Sequence, residues 1–149
     1  MSMEEELARR LEGFNGRQAK VGWFESAEYP NGKKVAEIAI IQEFGAPGAN
    51  IPPRPFIRPT FNAQKEKWTE DIEKGVKAVL RGATTAENVL TIVGQKAAGD
   101  IRKAISDVSS PELAESTKAQ RHRDGFTDEP LNRTGYMIAT CTSIVGNVE

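Results

Sequence analysis

The chain contains a single histidine, His122, and a single cysteine, Cys141, and these two residues bound the chemistry it could carry out. A histidine serves as a general base when a second group orients it and a nucleophile lies in reach. The sequence around it, Lys118-Ala119-Gln120-Arg121-His122-Arg123-Asp124, offers only Asp124 as a partner, so His122 reads as a solvated loop residue. A reactive thiol needs an electropositive, partly open setting. Cys141 lies among small and apolar neighbours and reads as a small buried hydrophobe. One histidine and one cysteine cannot build a zinc site of the usual nitrogen and sulfur kind, and no carboxylate pattern specifies another metal. Gly45-Ala46-Pro47-Gly48 lacks the glycine spacing and the Lys-Ser/Thr ending of a phosphate-binding loop; a helix-ending turn suffices for it. The residues therefore predict no active site, no cofactor and no metal.

Two other features could act on a partner rather than on a substrate. In Gly45–Pro59 the prolines Pro47, Pro52, Pro53, Pro55 and Pro59 remove hydrogen-bond donors and hold the backbone extended. Ile51, Phe56 and Ile57 make the same stretch apolar, and Arg54 and Arg58 flank Pro55-Phe56-Ile57. A segment both extended and apolar lies against something: a partner's groove, or helices of its own chain. Lys118, Arg121, His122 and Arg123 form the densest positive cluster, diluted by Asp124, Asp128 and Glu129.

The chain's 149 residues suffice for one domain with a real core. Formal net charge is -1, and no half of the chain carries the clustered cation excess that tight DNA binding requires. A lone cysteine rules out an intrachain disulfide and fits a reducing compartment. The acidic start, Met-Ser-Met-Glu-Glu-Glu, is unlike a signal peptide. No apolar run approaches membrane-spanning length, so the expectation is a soluble protein made in a cytoplasm.

The elements that must position these residues follow from periodicity. Residues 3–14 read as an amphipathic helix through Leu7, Leu11 and Phe14. Residues 18–24 read as a strand with Val21 and Trp23 on one face, and Tyr29-Pro30-Asn31-Gly32 as a turn. For 33–44 the spacing of Val35, Ile38 and Ile41 or Gln42 favours a helix ended by Gly45, with a strand through Ile38–Ile41 as its rival. Residues 60–81 form a long helix through Phe61, Trp68, Ile72, Val76 and Val79, stopped by Gly82. Thr84 or Thr85 caps a second one carrying Leu90, Val93, Ala97, Ile101 and Ile105. The short link makes the two an antiparallel hairpin or one broken helix. Residues 108–132 are polar and without period, a long mobile loop. Residues 134–148 alternate as a final strand, with Gly135 supplying a backbone angle that a side chain resists and Thr134 bonding locally to hold the turn.

The run Val35-Ala36-Glu37-Ile38-Ala39 … Gln42-Glu43-Phe44-Gly45-Ala46-Pro47 … Ile51-Pro52-Pro53-Arg54-Pro55-Phe56-Ile57-Arg58-Pro59-Thr60, followed by Pro130-Leu131-Asn132-Arg133-Thr134-Gly135, closely resembles a signature of tailed-phage virion morphogenesis proteins. These are the tail-completion and head–tail connector proteins of the phage neck, common in Mu-like phages and prophages. The resemblance spans roughly residues 18–149. Its specific element is the "EFG … IPPRPF" pair; the "LxxTG" turn alone is weak, and 108–129 is too generic to align.

The resemblance implies an α+β subunit: a small antiparallel sheet packed against long α-helices, with the proline-rich arm at 45–59 and the mobile loop at 108–132. It implies a homo-oligomeric ring, six-fold in the virion, at the head–tail junction. The ring would complete the tail, join it to the head and leave a channel for DNA. The alternatives within that setting are a tail terminator and a head-side adaptor; outside it, a nucleic-acid-binding adaptor or an assembly enzyme. Partners would be other neck and tail proteins, with weak passive contact to genomic DNA and no membrane. On this reading Ile51, Pro53, Arg54, Phe56, Ile57 and Arg58 meet a neighbour, with Ile51, Phe56 and Ile57 exposed in the free subunit. Leu131, Thr134 and Gly135 shape a structural turn, and Lys118, Arg121, His122 and Arg123 are possible channel-facing cations.

Overall fold

The computed structural model describes residues 1–107 and 135–149. The expected mobile loop, Leu131, Thr134 and the cluster Lys118, Arg121, His122 and Arg123 lie outside these residues. The fold is α+β: helices dominate, beside one two-stranded antiparallel sheet. The elements are α1 (Met3–Glu12), β1 (Arg17–Gly22), α2 (Val35–Phe44), α3 (Ile57–Leu80), α4 (Ala86–Asp107), α5 (Tyr136–Thr140) and β2 (Thr142–Asn147). They group into two compact units.

The first unit comprises Met1–Val21, Ala63–Gly99 and Thr142–Glu149. Helix α1 begins with a capping box: the Glu5 N–H donates to Ser2 Oγ at 3.1 Å, and the Ser2 N–H donates to the Glu5 carboxylate at 3.2 Å. No residue of α1 is buried. Its anchor is Arg10, which donates to the Leu80 carbonyl at 2.6 Å and so supplies a cation to the C-terminal end of α3. There Gly82, at φ +77°, donates to the Val79 carbonyl while Ala83 donates to that of Ala78. This pair of bonds is a Schellman stop, made possible by a glycine in the left-handed region. Thr85 then caps α4, its hydroxyl accepting the Asn88 N–H at 3.2 Å. The expected hairpin of long helices is thus formed in this unit. Asp71 of α3 meets Lys96 of α4 at 3.3 Å, and Val79 faces inward with Ala86, Val89, Ala97 and Ala98. Two glycines let backbones approach. A Cβ on Gly75 would lie 2.4 Å from Val89 Cγ1, and one on Gly94 would lie 2.9 Å from Ser143 Oγ and 3.4 Å from Ala19 Cβ. Through Gly94, α4 packs on the sheet.

The second unit comprises Gly22–Asn62 and, among the described residues, 100–107 and 135–141. Its core is Val35, Ala39, Phe56, Ile101, Ile105, Met137 and Cys141. The helix reading of α2 holds over its strand rival: Val35, Ala39 and Glu43 are its buried residues, and four-residue spacing is a helix face that a strand cannot make. Three expectations are corrected. Strand β1 stops at Gly22, and Trp23 turns out of it to donate from Nε1 to the Met137 carbonyl at 2.8 Å. Helix α3 begins at Ile57 rather than Thr60; Pro59 is tolerated because first-turn N–H groups have no partner inside a helix. The single final strand is instead a short helix, α5, followed by β2. Gly135 does have a positive φ, +72°, but it sets the start of α5. Tertiary bonds settle this segment: Met137 gives its carbonyl to Trp23, and Cys141 gives its carbonyl to Arg102 Nη1 at 2.6 Å. Helix α5 packs on α2, and the rings of Tyr29 and Tyr136 lie 5.9 Å apart.

The Gly75 contact yields a test that separates packing from helix propensity. Alanine is the better helix former by about 1 kcal/mol, yet Gly75→Ala should lower stability by roughly 1–3 kcal/mol, because its methyl overlaps a stiff β-branched neighbour. Adding Val89→Ala to Gly75→Ala should recover part of the loss, as urea titrations of both variants would read. A stabilised Gly75→Ala would show that the helices have room to part.

Candidate functional site

The proline-rich segment is built by the end of α2. The Gly45 N–H donates to the Ile41 carbonyl at 2.7 Å, and Gly45 turns the chain at φ +74°. A Cβ there would sit 2.8 Å from both the Ile51 carbonyl oxygen and the Pro53 nitrogen, so only glycine fits. Ala46 and Ile51 then exchange two backbone hydrogen bonds, at 2.8 and 3.1 Å. These close a loop around a 3₁₀ turn at Pro47–Ala49, with Asn50 left-handed at φ +58°. The chain runs back along α2, and the Arg54 N–H donates to the Gln42 carbonyl at 2.7 Å.

Glu43 completes the arrangement. Its side chain is 2% exposed, which for an isolated carboxylate would be prohibitive. It accepts the N–H of Phe56 at 2.7 Å, of Ile57 at 3.0 Å and of Arg58 at 3.0 Å, and Arg58 Nε at 2.9 Å. Arg58 Nη2 also donates to the Glu43 backbone carbonyl at 3.0 Å. Three of these donors are the free N–H groups at the start of α3, so a carboxylate from α2 caps α3 where the helix dipole favours negative charge. Burial pushes the Glu43 carboxyl up, but the bonds from Ile57, Arg58 and Phe56 and from the Arg58 side chain outweigh it and hold the group below the ordinary glutamate value.

The expectation that Ile51, Phe56 and Ile57 stand exposed is corrected. Phe56 is 1% exposed, with its ring edge-on to Trp23 at 5.7 Å, and its carbonyl takes the Thr60 hydroxyl at 2.6 Å. Ile51 and Ile57 are half-buried. Arg54 is buried, and that burial pushes its guanidinium pKa down. Of the six residues expected to meet a neighbour, Pro53 and Arg58 are the exposed ones. The physical reason is the Glu43 cap, which pins the segment to its own unit. Beside it lies an apolar surface that periodicity did not single out: Ile40 is 60% and Phe44 is 59% exposed on α2, and the Arg58 guanidinium lies 4.5 Å from the Phe44 ring centre. The signal for Ile40 and Phe44 was present as apolar residues outside the buried stripe. Cys141, read as a buried hydrophobe, is 1% exposed, and burial pushes its thiol up to about 11. Among the described residues no group of His, Cys, Asp and Glu side chains could hold a metal ion. The polar groups of this site are committed to one another.

Glu43→Ala should cost about 3 kcal/mol or more, because it leaves several N–H donors around a buried position without an acceptor, and Glu43→Gln should cost less. The pH dependence has a definite sign. A carboxyl held low in the folded state adds stability above the unfolded glutamate value of roughly 4.3 and loses it as pH falls through the lower folded value. The gap between the native chain and Glu43→Gln in urea titrations should therefore shrink as pH drops below about 4.3; a constant gap would mean the cap does not need its charge. Phe56→Ala should destabilise by about 3–5 kcal/mol, the loss for a truncated core aromatic. A chain that keeps its melting midpoint would return Phe56 to the surface. Compared with known proteins, the chain matches no protein-family model, no curated protein and no solved structure.

Proposed function

We propose that this chain is a structural subunit of a tailed-phage neck. It works as one copy in a ring, six-fold in the virion, that completes the tail and joins it to the head while leaving a channel for DNA. The observation that carries this reading is the Glu43 cap. The two halves of the signature, Glu43-Phe44-Gly45 and Ile51–Phe56, are separated in sequence yet form one unit: Glu43 caps Phe56–Arg58, and Gly45 makes room for Ile51 and Pro53. A motif whose parts require each other physically is a stronger basis for family likeness than two short strings. The neighbouring exposed pair, Ile40 and Phe44 with Arg58 over the ring, fits a surface for another neck protein, since aromatic residues and arginine are enriched at interface anchors.

The role is mechanical. DNA would pass through the ring without being gripped, in keeping with the near-neutral formal charge. A reconstruction of the virion containing this chain would test the reading: we expect six copies around the axis between the portal and the tail tube. One or two copies, a five-fold ring or a location away from the neck would overturn it. Particles lacking the chain should accumulate as filled heads and separate tails; normal joined particles would also count against it.

A further inference from the structure

Among the described residues the sheet of the first unit has two strands, and each offers one edge that no further strand pairs with. Val148 donates to the Gly16 carbonyl at 2.7 Å, which sets the register. Residues 18 and 20 of β1 and 144 and 146 of β2 bond across the sheet, while the backbone groups of Ala19 and Val21, and of Ser143 and Val145, point outward in its plane. Among the described residues no third strand pairs with those outward groups. The side chains of the same residues share one face, where Ala19 and Ser143 meet Gly94 of α4. On the other face Lys20 stands opposite Ile144, which is 50% exposed.

Protein folds protect open edges with charge, proline, bulges or a covering element. Strand β2, Thr142-Ser143-Ile144-Val145-Gly146-Asn147, holds no charged residue and no proline, and the equal lengths of the two strands leave no bulge. Among the described residues it is an edge left open to pairing. The occupant is indicated by the sheet itself. Strands β1 and β2 of this sequence already pair antiparallel over six residues each, with small and β-branched residues meeting on the α4 face. The free side of β1 in a second copy offers the free side of β2 the same strand, in the same antiparallel sense. Pairing β2 with β2 would leave both β1 edges open, whereas β2 on β1 uses both edges of every copy, and such a head-to-tail contact closes as a ring when its rotation allows.

We propose that copies of this chain join edge to edge, the open side of β2 in one adding to the open side of β1 in the next, so that the sheet runs on from subunit to subunit. The neck reading supplies only the closure into a ring; the strand contact rests on the sheet alone. The test uses the full chain over a wide concentration range. As copies associate, the amides of Ala19, Val21, Ser143 and Val145 should become protected from deuterium exchange together. Val145→Pro and Val21→Pro each remove one outward N–H while sparing the bonds within the subunit. Each variant alone should stay monomeric, and an equimolar mixture should stop at one-to-one pairs, because each partner retains the edge that the other lacks.

If Val145→Pro blocks association and Val21→Pro does not, the contact is β2 to β2 and the proposal fails. Association with all four amides exchanging freely also overturns it, as does a native chain that is monomeric at every concentration. Should either proline variant not fold, exchange in the unaltered chain decides alone. Six copies in the neck with unprotected edge amides would sink this inference and leave the neck reading standing; edge-joined chains missing from virions would do the reverse.

Discussion

One buried carboxylate holds the second unit in its form. Glu43 sits at the end of α2, and its oxygens collect the first N–H groups of α3. Taking a carboxylate out of water costs several kcal/mol, and only a dense set of donors offsets that. The proline-rich segment delivers it. Pro52, Pro53 and Pro55 have no N–H to satisfy, and the residues before, between and after them that do have one spend it: Ile51 on Ala46, Arg54 on Gln42, and Phe56, Ile57 and Arg58 on Glu43. The prolines thus strip the segment of donors everywhere except where an acceptor waits. This is why a stretch with so little regular structure can be buried without orphaned backbone groups.

The cap also decides what the surface looks like. Because Arg58 serves Glu43 through Nε and its backbone N–H, its guanidinium is held across the Phe44 ring. Phe56, drawn inward by its own N–H bond, meets Trp23, and Trp23 in turn fixes the carbonyl of Met137 on α5. A chain of contacts therefore runs from the carboxylate through two aromatic rings to the short helix beside α2.

Much of the architecture was legible in the sequence because its signals are local. The stripe of α4, the stop at Gly82, the cap at Thr85 and the left-handed Gly135 each depend on residues within a few positions of one another, whereas Phe61 and Ile72 of the expected α3 stripe are exposed. What was misread depends on distant partners. Nothing near Phe56 announces that an acceptor thirteen residues upstream will pull it into the core, so composition alone leaves the segment free to point either way. The stretch from Tyr136 to Val145 alternates well enough for one strand, but its first half is claimed by bonds from Trp23 and Arg102, which lie far off in sequence. Glu43 stands in the sequence only as one member of a signature: a glutamate in a helix reads as solvated until its donors are known.

Helix α1 contrasts with all of this. It buries no residue, and its Glu6, Arg9 and Arg10 interact mainly with one another. Such surface pairs contribute little; its hold on the unit includes the bond from Arg10 to the end of α3 and the close approach of Gly13 to Ala86. Segments with few buried contacts open at a free energy well below that of the whole fold. Among the described residues, α1 accordingly peels away early on warming, presenting Arg9 and Arg10 to a trypsin-like protease while α3 and α4 remain paired.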